Sequence, residues 1–403
     1  YGKRERNMAS SRKNRALYID QEAVSALTLL KSGMLSPVTA LMNEKQSKEV
    51  LSSGMFMGKT FPFPLILSPS GKVNETILTT AVKGEILDLI CDNVIVGELC
   101  VDEVYPIDPR ERLHQIYGTE DLSHPGVSAT HKRLGKYAIC GDYSIDLTSV
   151  QSIQEMLAQA KEQIGAQHTT ALFMAANPLH RAHERLIRQS LERTDLIVIF
   201  LLKPYNNADL KYELRYETLK FFIDNYLPHN RVVIVPLESS YIFAGSNEVI
   251  LDAIVAKNYG CDRLMIGQNH AGIGMYYDHN ANKSILDRLI GIDIEVGISS
   301  EYVYCNQCKT LVSIQTCPHG HHHHISYHSE SILELMRQGL LPPAVLVRKE
   351  ISAMIVASLY SNRFKNLSKL YYDIMPVNGL LEEHTEKDFY VALMRLYQTT
   401  SLT

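Results

Sequence analysis

Hydrophobic and polar positions are arranged differently in the two halves of the chain. Toward the N-terminus, short apolar runs are punctuated by Gly, Pro and Asn: "FPFPLILSPSG", "ILTTAV", "EILDLI" and "NVIVGELCVDEVYPIDP". Runs of that length between turn residues read as strands, which predicts a strand-rich N-terminal domain. From about residue 165 the pattern becomes strand, helix, strand, helix. "TTALFMAA" is followed by "HRAHERLIRQSLERT", "DLIVIFLL" by "KYELRYETLKFFIDNYL", and "RVVIVPL" by "SNEVILDAIVAKNYG" and then "RLMIGQN". Continuous apolar strands alternating with amphipathic helices predict an α/β fold with a doubly wound parallel sheet covered on both faces. Beyond about residue 320, "SESILELMRQGL" and "EISAMIVASLYSN" flank "LPP" and predict a small helical region. The boundaries expected are 1–160, 161–320 and 321–403.

Length and composition narrow the function classes. A chain of 403 residues is too long for one ordinary core, and two or three domains are expected. The net charge is -4, and the opening "YGKRERNMASSRKNR" is the only basic stretch of note. That balance argues against a nucleic-acid partner, and the opening reads as a solvated or partly disordered terminus. No run of 18 apolar residues and no charged-then-apolar leader is present, so neither a membrane span nor secretion is expected. Of seven cysteines, three fall between 305 and 317, a spacing that suggests metal binding in a reducing compartment, with the cytoplasm as the default. There is no internal repeat, and the low-complexity content is "HHHH" at 321–324.

Candidate chemistry begins where the first strand of the alternating region ends. Asn177-Pro178 closes that strand, and His180 and His183 fall on the first turn of the helix that follows. Unpaired backbone N–H groups and the positive end of the helix dipole make such a turn a site for phosphate oxygens. Two imidazoles there can donate hydrogen bonds to a leaving pyrophosphate. The preceding Met174-Ala175-Ala176 brings no charge. A second segment, "LMIGQNHAGIGMYY", ends a strand in Gly267, with Gly272 and Gly274 further on and His270 between them. Glycines at a strand end allow backbone to approach a ligand closely, and two such turns in one alternating domain point to a nucleotide site.

These segments, with "SGMLSPVTALM", "GKTFPFPLIL", "IYGTEDLSHPGV", "CPHG" and "LPP", carry a resemblance that runs nearly the whole length of the chain. The sequence resembles the ATP sulfurylase (sulfate adenylyltransferase) family. The resemblance implies a PUA-like N-terminal domain followed by a nucleotidyltransferase domain. It also implies an activity: sulfate attacks the α-phosphorus of Mg-ATP, releasing pyrophosphate and leaving adenosine 5′-phosphosulfate. On the matching positions it implies catalytic roles for Asn177, His180 and His183, nucleotide binding by those three with Gly267, Gln268, His270 and Gly272, and acceptor binding at Met174, Ala176 and Ala271. Self-association is a further implication.

The departures lie where that family holds its acceptor. Its Gln-Thr-Arg-Asn-Pro is Met174-Ala175-Ala176-Asn177-Pro178 here, and its Gly-Arg-Asp-His-Ala-Gly is Gly267-Gln268-Asn269-His270-Ala271-Gly272. Its Ala-Gly-Pro-Arg-Glu is Ala244-Gly245-Ser246-Asn247-Glu248, and its Ile-Ser-Gly-Thr loop reads Ile325-Ser326-Tyr327-His328-Ser329. Sulfate is a strongly hydrated dianion, best held by a guanidinium fork. Loss of one buried charge partner costs about 2–5 kcal/mol. Lys203 and Arg215 are the cations placed to compensate. Three functional readings follow: sulfate adenylation with a rearranged anion site, AMP transfer to a different acceptor, and a non-catalytic nucleotide-binding descendant. The first is nominal because the resemblance is long.

A separate signal is Cys305, Cys308, Cys317 and His321, spaced C-x2-C-x8-C-x3-H. Three thiolates and one imidazole satisfy tetrahedral Zn²⁺ with no open position, which predicts a structural role. His319 is the alternative fourth ligand.

Overall fold

The computed structural model describes residues 14–203, 210–238, 244–273, 275–278, 285, 287–375 and 383–398; Gly274 and most of the basic opening lie outside the described residues. The chain forms two units. The first comprises Tyr1–Gln159, Glu238–Leu264 and Gln268–Val296, the second Ala160–Leu237, Met265–Gly267 and Gly297–Thr403.

In the first unit, β1 (Arg15–Tyr18), β4 (Leu67–Pro69), β5 (Ile86–Cys91), β6 (Val94–Pro106) and β7 (Leu134–Ile145) form one sheet of order β1-β5-β6-β7-β4, and β2 (Met55–Phe56) and β3 (Lys59–Thr60) a small hairpin. β1 runs parallel to β5 and the other pairs are antiparallel. β5 and β6 are joined through Asp92 and Asn93, both at positive φ (49° and 65°), as a two-residue hairpin turn matched to strand twist requires. One expected strand is a helix. "ILTTAV" lies largely in the helix Lys72–Thr80, whose buried residues are Asn74 and Leu78. That i, i+4 spacing buries one helical face, while the hydroxyls of Thr76, Thr79 and Thr80 bond back to the carbonyls of Lys72, Glu75 and Thr76. The helix Ser246–Asn258 groups with this unit, not with the parallel sheet whose strands it alternates with in sequence.

β8 (Thr169–Met174), β9 (Leu196–Leu202) and β10 (Val232–Leu237) of the second unit belong to a sheet of order β10-β9-β8-β11-β12, whose β11 (Arg263–Ile266) and β12 (Glu295–Ile298) are each assigned in part to either unit. β8, β9 and β10 pair in parallel. Every residue of β8 is buried, which is why its sequence is a continuous apolar run instead of an alternation. The chain runs outward from β8 through β9 to β10 and then returns to β11 on the other side. The strand order reverses beside β8, where doubly wound folds place ligands beyond the carboxyl ends of the strands. The helices Ser329–Arg337 and Lys349–Leu359 contribute Ile332, Met336, Ile351 and Ile355 to the same buried cluster as Leu172, Ile197 and Ile199 of the sheet. The C-terminal segment therefore shares the core of this unit. No helix among the described residues is long and apolar enough to cross a membrane.

Candidate functional site

Residues after β8 build the histidine turn, within the second unit. Ala176 adopts a left-handed backbone (φ 48°), which for a non-glycine residue costs about 1 kcal/mol and is held by the packing around it. The Asn177–Pro178 peptide is cis. Asn177 Oδ1 accepts from the N–H of Leu210 at 3.0 Å, tying the turn to the segment that follows β9. His180 then caps the helix Arg181–Leu191. Its ring is buried, stacked on His183 at 3.7 Å and on Tyr327 at 5.4 Å, with Nε2 3.1 Å from Ser329 Oγ. Its Nδ1 is buried and makes no hydrogen bond of good geometry. His183 Nδ1 accepts from the His180 backbone N–H at 3.3 Å, so this ring carries its proton on Nε2. Burial depresses both imidazoles. His183 falls to about 4, and His180, with His183 against it, lies well below the ordinary range. Both rings are neutral donors at physiological pH.

The start of this helix is clamped by residues that sequence reasoning did not single out. Arg181 N–H donates to Leu346 O (2.9 Å) and its Nε to Ala344 O (3.1 Å). Buried Glu184 meets Arg181 Nη1 at 3.2 Å and Arg348 Nε at 2.8 Å. The signal available was Ser329, which sits in the altered loop at 325–329 and now proves to touch His180.

Met174 and Ala176, expected at the acceptor, are part of the core. Met174 is 6% exposed and Ala176 1%, both within the apolar cluster that includes Leu179, Leu201 and Leu210. Arg215, expected to reach the pocket, is corrected by the structure: it is 1% exposed, with Nη1 donating to Ala175 O (2.6 Å) and Leu202 O (2.8 Å) and Nε to Leu210 O (3.0 Å). A buried guanidinium needs several acceptors, and this one spends its donors stapling the turn after β8 to the end of β9. Lys203 is half-buried with its Nζ 4.8 Å from the Tyr212 ring centroid.

The second glycine turn is described by itself within the first unit, apart from Gly267, which is assigned to the second. A Cβ added at Gly267 would meet nothing within 4 Å among the described residues, so packing does not demand glycine there. Beyond Gln268, Ala271 is left-handed (φ 57°), as is Gly272 (φ 78°), and the Ala271 carbonyl accepts from Gly245 N–H at 3.0 Å. Gly245 must be glycine: its φ is +57° and an added Cβ would stand 3.0 Å from the Tyr277 ring. His270 Nε2 lies 2.7 Å from Asp252 Oδ2. With Glu248 they form a buried cluster whose ligand-type atoms all lie within 4.8 Å of one another. Burial works against the imidazolium, yet the hydrogen bond and charge of Asp252, with Glu248 beyond it, outweigh that and raise the His270 pKa. Asn247, at the position of a family arginine, donates its Nδ2 to the carbonyls of Gln115 (3.1 Å) and Ile116 (2.9 Å).

The cysteine cluster lies in the second unit on β13 (Tyr302–Cys305), β14 (Thr310–Ser313), β15 (His324–Ile325) and the turns between them. The fourth position goes to His319, not His321. His319 Nδ1 is 3.5, 3.3 and 3.6 Å from the sulfurs of Cys305, Cys308 and Cys317, and Cys308 and Cys317 are 3.9 Å apart. His321 opens a short 3-10 turn and is exposed. A tetrahedron with Zn–S of about 2.3 Å and Zn–N of about 2.0–2.1 Å separates sulfur from nitrogen by roughly 3.6 Å and sulfur from sulfur by roughly 3.8 Å. The four side chains fit a metal of that size. Burial opposes ionisation of Cys305, but the backbone N–H groups of Cys308 and Gln307 prevail and bring its thiol to about 7, suited to a thiolate ligand.

Comparison with known proteins decides the family. A family model described as ATP-sulfurylase matches residues 150–358, and one described as a PUA-like domain matches 2–147. The chain is 30% identical over 352 residues to a sulfate adenylyltransferase of Chloroflexus aurantiacus, covering 85% of this chain and 91% of that protein. The chain belongs to the ATP-sulfurylase family. A sulfate adenylyltransferase of Halothermothrix orenii is 26% identical over 356 residues, covering 85% of this chain and 91% of that protein. Among solved structures, a hexameric APS kinase from Thiobacillus denitrificans superposes with a TM-score of 0.62 at 18% identity, over 85% of this chain. This chain spans 62% of that one, and the likeness is one of fold. As an ATP-sulfurylase relative, this chain has the PUA-like and nucleotidyltransferase domains expected from its sequence.

Proposed function

We propose that this ATP-sulfurylase-family nucleotidyltransferase binds Mg-ATP at the His180–His183 turn and transfers AMP to an acceptor other than inorganic sulfate. The observation that carries the acceptor half is the burial of Met174 and Ala176 in the apolar core, where the family places its sulfate-binding side chains. With Arg215 committed to three carbonyls and Arg181 paired with Ala344 O and Glu184, no guanidinium at this turn among the described residues remains to replace the hydration of a dianion. A dianion beside a triphosphate is repelled unless cations intervene. The nucleotide half rests on two neutral imidazoles at a helix N-terminus, one with an unpartnered buried Nδ1. The acceptor that suits an apolar wall carries less charge than sulfate.

The test is pyrophosphate release from Mg-ATP across a panel of oxyanions and small carboxylates, with ATP binding measured in parallel. ATP should bind, sulfate should stimulate little or no release, and another acceptor should do so. Brisk sulfate-dependent release would refute the proposal. ATP binding without turnover on any acceptor would favour a nucleotide-binding descendant.

The same proposal includes a structural zinc ion held by Cys305, Cys308, Cys317 and His319. Protein prepared without chelator should contain close to one equivalent, and Cys308→Ser should lose it and lower the melting temperature while leaving ATP affinity unchanged. Metal analysis without zinc would remove this part. A reducing, cytoplasmic setting suits thiolate ligands. Self-association is expected from the family, and the Thiobacillus denitrificans relative is a hexamer.

A further inference from the structure

The first unit contains a cavity of about 290 Å³ that belongs to neither turn of the candidate site. Its wall is largely aliphatic, from residues such as Ile19, Leu27, Leu30, Leu65 and Ile116. Most of the polar side chains that line it are already satisfied within the unit. Asp20 is paired with Arg133 (2.7 Å), which also meets Glu22. Asn74 exchanges hydrogen bonds with the backbone of Tyr18, and Thr130 Oγ1 is 2.7 Å from Tyr117 OH. Ser68 and Ser70 donate to the carbonyls of Gly135 and Lys132.

Arg112 is different. Its side chain lines the same cavity and is 4% exposed. Its Nη1 is closed off from solvent with no hydrogen-bond partner, and no carboxylate among the described residues pairs with it. Among the described residues, its charge-related contact is with the Phe63 ring, 5.1 Å from Cζ to centroid. A cation–π contact is a weak substitute for a counter-ion when a guanidinium has been taken out of water. Buried charges in folded proteins are paired, and this unpaired one borders a space large enough for a small molecule.

We propose that this cavity binds a monoanionic ligand with an apolar body, its carboxylate pairing with Arg112 and its hydrocarbon lying against the aliphatic wall. One negative charge follows because Arg112 is the cation of the lining without a carboxylate partner among the described residues, whereas Arg133 is already matched by Asp20 and Glu22. The apolar body follows from the wall, where the remaining polar groups are occupied.

The full chain should be probed with hexanoate, benzoate, hexanol and chloride by calorimetry and thermal shift. Hexanoate or benzoate should bind and raise the melting temperature, whereas hexanol and chloride should not. Arg112→Met should weaken hexanoate by about thirty-fold or more. Without ligand, Arg112→Met should melt as high as the wild type or higher, because an uncompensated buried charge has been replaced by a side chain of similar volume. Ala26→Phe, which narrows the cavity and leaves Arg112 in place, should also abolish hexanoate binding, so the proposal does not hang on one variant. Equal binding of hexanol and hexanoate, binding that survives Arg112→Met, a shift reproduced by chloride alone, or no response to either carboxylate would each overturn it.

Discussion

The two histidine turns use the same residue type in opposite electrostatic settings. His180 and His183 are buried against each other and Tyr327, with a serine hydroxyl as neighbour, and their pKa values are pushed down. His270 is equally enclosed but lies 2.7 Å from Asp252, and its pKa is pushed up. Desolvation alone disfavours imidazolium at all three, so the carboxylate decides the difference. A histidine in a phosphate-binding motif is therefore not a cation by default. Here the pair at the helix N-terminus offers neutral donors, and the positive charge of the histidine set resides on the loop after β11.

The largest effect that would break this contrast is expected from Asp252→Asn. Removing one partner of a buried charged pair costs about 3 kcal/mol or more. Urea denaturation should show that loss, and NMR titration should find His270 shifted below the ordinary histidine range, joining His180 and His183. A change of less than about 0.5 kcal/mol, in the range of an ordinary surface substitution, would mean that Asp252 does not set the charge of His270.

Acid sensitivity should be the next largest effect, and it has opposite signs at the two turns. His183 is held at about 4 in the folded chain, against 6.5 when unfolded. Between those values the unfolded state binds the extra proton, so stability falls as the pH is lowered through 6.5 toward 4. For His183 that amounts to roughly 2 kcal/mol at pH 5. His270 has a raised folded pKa, so its contribution is fully present below the unfolded value and is lost as pH rises through the folded one. Relative to His183→Gln, the wild type should therefore lose stability on going from pH 7 to pH 5. Parallel stability curves for the two proteins would show that His183 titrates normally.

Much of this was legible in the sequence, and the misses have physical reasons. The continuous apolar runs of β8 and β9 announced central parallel strands, and the placing of His180 and His183 followed from where the strand ended and the helix began. Periodicity names an element but not its partners. It could not say that the helix Ser246–Asn258 packs with the first unit, because a helix apolar on most sides fits either core. "ILTTAV" misled because β-branched residues favour strands, whereas burial of one helical face through Asn74 and Leu78 kept it helical and the threonine hydroxyls found partners in carbonyls of the same helix. Arg215 was a reasonable candidate by position, and only its three carbonyl partners reveal it as a staple. For zinc, Cys-x-His and Cys-x3-His spacings are both feasible, and only the three-dimensional grouping brings His319 to the three sulfurs.

The smallest effect sharpens the reading of the nucleotide half itself. If His183 donates from Nε2 to a β- or γ-phosphate oxygen, His183→Ala removes a hydrogen bond to a charged group, worth about 1.5 kcal/mol net at the lower end of the usual range. AMP lacks those phosphates and should be held almost as well as before, so the ratio of ATP to AMP affinity should fall about tenfold. Because His183 Nδ1 also accepts from the His180 N–H at 3.3 Å, the alanine variant disturbs the helix start, and that part of the loss should weaken both ligands alike. His183→Asn separates the two contributions: its side-chain oxygen is able to take the His180 N–H while a shorter side chain withdraws the donor from the phosphates. The asparagine variant should therefore recover stability without recovering the preference for ATP. Equal weakening of ATP and AMP in both variants would leave His183 as part of the cap alone, and the phosphate contacts would then fall to His180 and the backbone N–H groups of the first turn.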